Sequence, residues 1–242
     1  ALFTEHSFLI PWFPAILIEK DYDAVAQFLE QVKPTSLVAN NTGVGFLAKQ
    51  NGISWIAGPE LNITNSFAIK CLQEEFNCSG AFISNELSMF QMRKIVRPEG
   101  FKLLHSIYHP ITLMTSRQCF FQQSSGCKKM RINKGCLPKC EKHTAIISLK
   151  DKPYIVDKQK GNYNNLYAEH NFLNTKVLTD LPEFYTDYML DLSPVETMTK
   201  VSVNEAELVG LFESAISGNE SSLSAIAEHV HPTVSNQYKK GL

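Results

Sequence analysis

The chain has 242 residues, of which 44% are hydrophobic and 19% charged, and its net charge is −1. This composition is typical of a folded globular protein and excludes a disordered chain. Because the net charge is close to zero, any attraction to nucleic acid or to a membrane surface must come from a local patch. The longest apolar stretch, FLIPWFPAILIE (8–19), contains Pro11 and Pro14 and is shorter than the roughly 20 residues of a membrane-spanning helix. We therefore expect no membrane partner.

The first hundred residues alternate between strand-like and helix-like periodicity. Strands are predicted at 8–19, 36–40, 54–60, 80–84 and 101–107, and helices at 21–32, 44–50, 66–76 and 85–96. Ser84 or Asn85 is the expected N-cap of the last helix. This alternation is typical of parallel βα units in an α/β fold, either half of a (β/α)8-type barrel or an open doubly wound sheet. Since no G-x-G-x-x-G motif follows the first strand, we favour half of a barrel.

The alternation ends after residue 108, and three further features follow. TAIISL (144–149) and PYIVDKQ (153–159) predict a small β-hairpin with a charged turn. The segment 183–193 is expected to hold a last barrel strand, and C-terminal helices are predicted at 204–217, capped by Asn204, and at 221–231. We accordingly divide the chain into βα units (1–115), a cysteine-rich basic segment (116–143), and a region of hairpin, last barrel elements and C-terminal helices (144–242).

Four of the six cysteines lie in the cysteine-rich segment: Cys119, Cys127, Cys136 and Cys140. Thiolates suit zinc, copper(I) and iron–sulfur clusters. Only the last pair has the two-to-four-residue spacing of typical zinc sites, whereas iron–sulfur clusters accept less regular spacings. The pattern thus favours an iron–sulfur cluster over zinc. The alternative is that the segment binds no metal, with two reduced thiols that have a structural role and two that are incidental. A chain of this size does not need disulfides, so we expect a cytoplasmic protein.

The same segment is basic, with Glu141 as its one acid between residues 117 and 142. Its basic residues are Arg117, Lys128, Lys129, Arg131, Lys134, Lys139 and Lys142. They are candidate contacts for RNA phosphates, and Phe120 and Phe121 could stack on unpaired bases. A solvated loop that offsets the charge of a thiolate cluster is the alternative.

His105 and His109 flank the end of a predicted strand. At the C-terminal rim of a barrel this position is typical of functional residues, so both are candidates for lining a pocket. The alternative is a hydrogen-bonded structural role. No G-x-S-x-G or H-E-x-x-H motif is present, and the catalytic residues stay unassigned.

The stretch HSIYHPITLMTSRQCFFQQSSGCKKMRINKGCLPKCEKH (105–143) resembles the peptidase U32 family, also called collagenase-like proteases. It most resembles the long-chain branch that includes the ribosomal RNA cytidine hydroxylase. The resemblance extends back through SWIAGPELNITNSFAIKCL and GAFISNELSMFQMRKI and covers nearly the whole chain. It implies that the chain is the C-terminal half of a longer polypeptide, whose N-terminal part would be a partner.

The resemblance implies a (β/α)8 barrel with a four-cysteine [4Fe–4S] cluster. Cys119 matches the cysteine that ends the family's S-G-R-C run, and Cys136 and Cys140 match its later C-x3-C pair. The commoner branch has another cysteine shortly before that run, which this chain lacks. Cys127 would therefore be the fourth ligand.

The resemblance further implies oxygen-independent hydroxylation, which family members carry out on uridine in transfer RNA, cytidine in ribosomal RNA or the ubiquinone ring. The RNA-modifying members use prephenate. We expect C-hydroxylation of an RNA base, with ribosomal RNA favoured over transfer RNA and with Arg117, Lys128, Lys129 and Arg131 contacting the RNA. The alternatives are a U32-type peptidase and a non-catalytic RNA-binding module with a structural zinc.

Overall fold

The computed structural model describes residues 2–6, 8–124, 126–129, 136, 144–149, 151–158 and 163–241. The described residues form two compact units. The first unit comprises residues 1–106, 179–189 and 236–242, and the second comprises 107–178 and 190–235. The division by sequence segment (1–115, 116–143 and 144–242) stays a prediction.

The strands are β1 (Trp12–Phe13), β2 (Ser36–Ala39), β3 (Ser54–Ala57), β4 (Cys78–Phe82), β5 (Lys102–His109), β6 (Thr112–Ser116), β7 (Thr144–Ile147), β8 (Pro153–Lys158), β9 (Asn164–Tyr167), β10 (Asn171–Leu173), β11 (Asp187–Leu190), β12 (Lys200–Val201), β13 (Val230–His231) and β14 (Thr233–Val234). The α-helices are α1 (Leu2–Glu5), α2 (Lys20–Val32), α3 (Thr42–Gln50), α4 (Ser66–Phe76), α5 (Met89–Met92), α6 (Phe120–Ser124), α7 (Lys176–Asp180), α8 (Glu205–Ile216), α9 (Glu220–His229) and α10 (Asn236–Lys240). A short 3-10 helix spans Pro59–Leu61.

The first unit is built on a parallel sheet in the order β1-β2-β3-β4-β5, and β11 also pairs with β5. Each of β2 to β5 contributes one buried side chain to an apolar row of Val38, Ile56, Phe82 and Leu104, against which Met189 packs. The α/β class with parallel strands is thereby confirmed. Among the described residues the sheet does not close on itself, so the barrel itself is not observed.

Two elements of the first unit differ from the sequence prediction. The strand predicted at 8–19 is reduced to β1. Pro11 and Pro14 flank β1 and have no N–H to donate to a ladder, which explains the reduction. The helix predicted at 85–96 is reduced to α5, and its cap is Ser88 rather than Ser84 or Asn85. Ser88 and Gln91 form a reciprocal capping box that fixes the helix start at residue 89.

The second unit is built on an antiparallel sheet in the order β6-β9-β8-β7. The predicted hairpin is confirmed, because β7 and β8 pair from Thr144↔Val156 to Ile147↔Pro153. The end of β5 pairs with β10, which also pairs with β14. The predicted C-terminal helices are confirmed as α8 and α9, and Asn204 caps α8 by accepting from the Glu207 N–H at 2.9 Å.

The length and hydropathy of the helices bear on membrane association. Among the residues that the structure describes, no helix has both the length and the apolar character needed to cross a bilayer.

Candidate functional site

The cysteine-rich segment lies in the second unit and begins at Ser116, the last residue of β6. Cys119 lies between β6 and α6 and is half-buried, as is Cys127. Cys136 is buried, and its Sγ lies 3.6 Å from the Nζ of Lys129. A cation at this distance favours the thiolate form, which is the form that binds metal. Cys140 lies outside the described residues.

The donor chemistry of this segment fits a soft metal or an iron–sulfur cluster, since all four candidate ligands are cysteines. Within the part of the chain that the structure describes, no three His, Cys, Asp or Glu side chains form a group that could hold a metal ion. The geometry of the full four-sulfur set includes Cys140 and is not described.

The two other cysteines lie in the first unit, away from this segment in the sequence. Cys71 is an exposed residue of α4, and Cys78 is buried at the start of β4. Burial raises the pKa of the Cys78 thiol to about 11, so this thiol stays protonated at neutral pH. Cys71 is exposed and lies in a different unit from the candidate ligands, so a substitution there is a control for experiments on them.

One side chain outside the segment holds the loop that leads to Cys119. Asn164, the first residue of β9, is fully buried, and its Nδ2 donates to the carbonyl oxygens of Gln118 at 2.8 Å and Ser116 at 3.4 Å. The two carbonyls flank Arg117, so the Asn164 amide fixes the main chain that positions both Arg117 and Cys119. The Oδ1 of Asn164 is buried and has no hydrogen-bond partner among the described residues.

The candidate RNA contacts differ in what the structure shows of them. Arg117, Lys128 and Lys129 are exposed, as contacts to phosphate require, and Arg131 lies outside the described residues. The two phenylalanines are not equivalent. Phe121 is fully buried, so stacking on an unpaired base is left to the half-buried Phe120.

His105 and His109 are both on β5 but belong to different units. His105 is fully buried in the first unit, where its ring centre lies 4.8 Å from that of Tyr185. His109 is the last residue of β5 and stacks on Phe172 in the second unit, with ring centres 5.0 Å apart. The structure therefore gives the two candidates separate surroundings.

The ring of His109 has a defined tautomer. Its Nδ1 lies 2.9 Å from the carbonyl oxygen of Pro110, which can only accept, so Nδ1 carries the proton and Nε2 is the basic nitrogen. Burial lowers the pKa of His109, while the Pro110 bond and the charge of Asp191 oppose this shift. A neutral imidazole is the result at neutral pH.

Asp191 acts electrostatically on His109 and on two tyrosines that the sequence analysis did not identify. We call Tyr108, His109, Tyr167 and Asp191 the Asp191 cluster. The charge of Asp191 acts on the three other side chains. Asp191 follows β11, donates its N–H to the Tyr108 carbonyl oxygen at 2.8 Å, and accepts from the N–H and the hydroxyl of Ser193.

The Asp191 cluster lies where functional residues are common in α/β folds. Tyr108 and His109 end β5, and Asp191 comes directly after β11. Carboxyl ends of strands carry the binding and catalytic groups of barrels and open parallel sheets. His109 was a candidate because it flanks the end of a predicted strand, whereas Asp191 falls inside the segment 183–193 that was expected to hold the last strand, so the sequence did not single it out.

Comparison with known protein families gives one match. The model of Peptidase family U32 matches residues 16–237. The chain belongs to the peptidase U32 family. The matched range contains both the cysteine-rich segment and the Asp191 cluster. Searches of curated proteins and of solved structures found no match.

Proposed function

We propose that this U32 protein is an iron–sulfur enzyme that hydroxylates a carbon atom of an RNA base without oxygen and with prephenate as co-substrate. Ribosomal RNA is favoured over transfer RNA. The observation that carries the proposal is the combination of thiols and exposed cations in one segment, with the Lys129 ammonium 3.6 Å from the Cys136 sulfur. The resemblance of residues 105–143 to the RNA-hydroxylating branch supplies the reaction class.

In this proposal, Cys119, Cys127, Cys136 and Cys140 would hold a [4Fe–4S] cluster. The thiol chemistry fits such a group, and the basic side chains would offset its negative charge. When bound, the cluster supplies one-electron chemistry that side chains lack. Zinc in the same thiol set is the alternative cofactor.

The protein's own residues would bind and orient the RNA. Arg117 and Lys128 are exposed and are suited to phosphate contacts, and Lys129 and Arg131 complete the proposed basic set. Asn164 fixes the main chain on both sides of Arg117. The position of the Arg117 main chain relative to Cys119, a proposed cluster ligand, would therefore be defined.

The half-barrel interpretation is part of the proposal. Val38, Ile56, Phe82 and Leu104 provide one inward side chain from each of four successive strands, as the interior of a (β/α)8 barrel requires. Further βα units from an N-terminal part of the same polypeptide would complete such a barrel.

Metal analysis tests the proposal directly. Protein purified without oxygen should show broad visible absorption and about four irons per chain. Cys136→Ser should lose both signals because it removes one ligand, and Cys71→Ser, the matched control in the first unit, should retain them. Colourless wild-type protein with about one zinc per chain would favour the RNA-binding module instead.

An activity assay separates hydroxylation from proteolysis, the alternative that the family's name favours. The iron-loaded protein is incubated without oxygen with prephenate and ribosomal RNA, and the nucleosides are analysed by mass spectrometry. Gain of one oxygen atom on a base, dependent on both iron and prephenate, is expected. Cleavage of denatured collagen at the same rate in wild type and Cys136→Ser, with no RNA product, would establish the peptidase instead.

A further inference from the structure

One of the proposed cluster ligands has a described contact with a cation. The ammonium nitrogen (Nζ) of Lys129 lies 3.6 Å from the sulfur (Sγ) of Cys136, a hydrogen-bonding distance for an atom as large as sulfur. An ammonium group has N–H donors and no acceptor, so Lys129 donates and the sulfur accepts. Cys136 is 9% exposed, whereas Lys129 is an exposed residue. The bond therefore joins a buried sulfur to a charge at the protein surface.

The neighbouring Lys128 provides a comparison within the same loop. Lys128 carries the same ammonium group and is also exposed, but among the described residues it has no contact with a cysteine sulfur. Water and salt screen the charge of an exposed side chain, so its effect on a buried group is small. A hydrogen bond to the sulfur itself is not screened in this way. The two lysines therefore differ in how they act on Cys136.

The effect on a bound cluster follows from the charge that reduction adds. A one-electron reduction adds one negative charge to the cluster, and buried surroundings disfavour that charge. Hydrogen bonds to the sulfurs and the local net charge are among the factors that set the reduction potentials of iron–sulfur clusters. Lys129 supplies both a hydrogen bond and a positive charge at Cys136. Loss of its ammonium group should make the cluster harder to reduce.

We propose that Lys129 tunes the reduction potential of the cluster: its hydrogen bond to the Cys136 sulfur stabilises the state that holds the added electron. This inference rests on the proposed function and specifies which side chain adjusts the cofactor. Lys129 is a positioning residue in this role, since it acts through Cys136 and holds a charge against its sulfur. The electron itself comes from an external one-electron reductant, which is oxidised as the cluster is reduced.

The reduction potential of the cluster tests this inference. Protein purified without oxygen is titrated with dithionite in the presence of redox dyes, and the reduced cluster is measured by electron paramagnetic resonance. Lys129→Met removes the donor and the charge but keeps a side chain of similar length. Its equilibrium should shift toward the oxidised cluster by about tenfold relative to wild type, which lowers the potential by about 59 mV for a one-electron couple.

Matched variants separate the hydrogen bond from the overall charge of the loop. Lys129→Arg keeps a cation with N–H donors, and Lys128→Met removes the same charge from the neighbouring position. Both should shift the equilibrium by less than about threefold, because one keeps the bond and the other removes only a screened charge. Lys129→Gln keeps an N–H donor without the charge and should give an intermediate potential. It provides the test if Lys129→Met does not hold a cluster.

The outcomes separate this inference from the proposed function. Equal potentials in wild type and Lys129→Met, with iron retained in both, would overturn the role of Lys129 and leave the proposed function standing. An equal shift in Lys128→Met and Lys129→Met would also overturn it, because the effect would then come from the net charge of the loop. Colourless wild-type protein that holds zinc would overturn both the proposed cofactor and this inference.

Discussion

In the first unit, both polar atoms of the buried Asn40 amide bond to the main chain, whereas in the second unit neither polar atom of the buried Asn174 amide has a described partner. Asn40 Nδ2 donates to the Phe13 carbonyl oxygen at 3.1 Å, and its Oδ1 accepts from the Glu60 N–H at 3.0 Å. Neither amide atom of Asn174 has a hydrogen-bond partner among the described residues, although the side chain is 2% exposed. The two asparagines therefore have opposite hydrogen-bonding states.

This contrast separates two uses of buried polar groups. Asn40, and likewise the caps Asn41 and Asn65, stabilise strand ends and helix starts in the first unit. In the second unit, Asn164 Oδ1 shares with Asn174 the lack of a described hydrogen-bond partner. Unsatisfied buried groups cost stability and persist where function requires them. The two asparagines thus show that the chain satisfies one buried amide through its main chain and leaves the other without a described partner.

The largest expected effect comes from replacing the two asparagines by leucine, which has a similar volume. Asn40→Leu should lower the free energy of unfolding by about 2–4 kcal/mol, because two main-chain groups lose their partners. Asn174→Leu should change it by less than about 1 kcal/mol or raise it, because no described hydrogen bond is lost. Denaturant unfolding measures both. Equal losses would remove the contrast between the units.

A smaller effect is expected at Asn164. Asn164→Asp keeps the shape and the acceptor but removes the N–H groups that bind the Ser116 and Gln118 carbonyls. The free energy of unfolding should fall by about 1–3 kcal/mol, and iron retention during purification should fall with it, because Cys119 loses its fixed position.

Asn165→Ala is the control for this experiment. Asn165 is the neighbour of Asn164 and bonds to Thr115 and Tyr167, so its replacement removes two hydrogen bonds. The bonds from Asn164 to the loop before Cys119 stay in place. It should lose stability and keep its iron. Iron loss in both variants to the same degree would show that the effect is general loosening of the sheet.

The smallest expected effect is a pH dependence from His109. Its pKa is lowered by burial from an ordinary value of 6.5, so protonation favours the unfolded chain. The contribution of the neutral His109 ring to the free energy of unfolding is complete above about pH 6.5, the pKa of histidine in the unfolded chain. It decreases as the pH falls from there toward the lower pKa of His109 in the folded protein. The opposing Asp191 charge keeps this loss small. His109→Gln should therefore unfold with a weaker acid dependence than wild type.

The control is His231→Gln, which removes an exposed histidine from the same unit. Its acid dependence should follow the wild type. Urea titrations between pH 5 and pH 8, the range in which a histidine changes charge, compare the three proteins. Identical slopes for wild type and His109→Gln would contradict the buried, neutral state of His109.

Local patterns predicted those parts of the fold that depend on neighbouring residues. Alternating apolar residues predicted the β7–β8 hairpin, and the Asn204 cap and helix α8 followed from one short motif. The first strand was predicted too long, because apolar character outweighed the missing donors of Pro11 and Pro14. The helix after β4 was predicted to start too early, because the helix-like pattern begins before the Ser88 capping box that fixes the start at residue 89.

The candidate site was predictable only where its residues cluster in the sequence. The cysteines and cations occupy one segment, and His109 follows a recognisable strand. Asn164, on β9, bonds to the loop before Cys119, which is more than 40 residues away in the sequence. An asparagine at that position has many ordinary roles, so no single-residue pattern identifies it.

The bond between Asn164 and the loop before Cys119 has a consequence for sequence variation. Both acceptors are main-chain carbonyls, which every residue type provides, so this restraint places no demand on the side chains at 117 and 118. Substitutions at Arg117 could therefore alter what the loop recognises without displacing Cys119. In the proposed enzyme, this contact would keep Cys119 in place while the residue at position 117 varied.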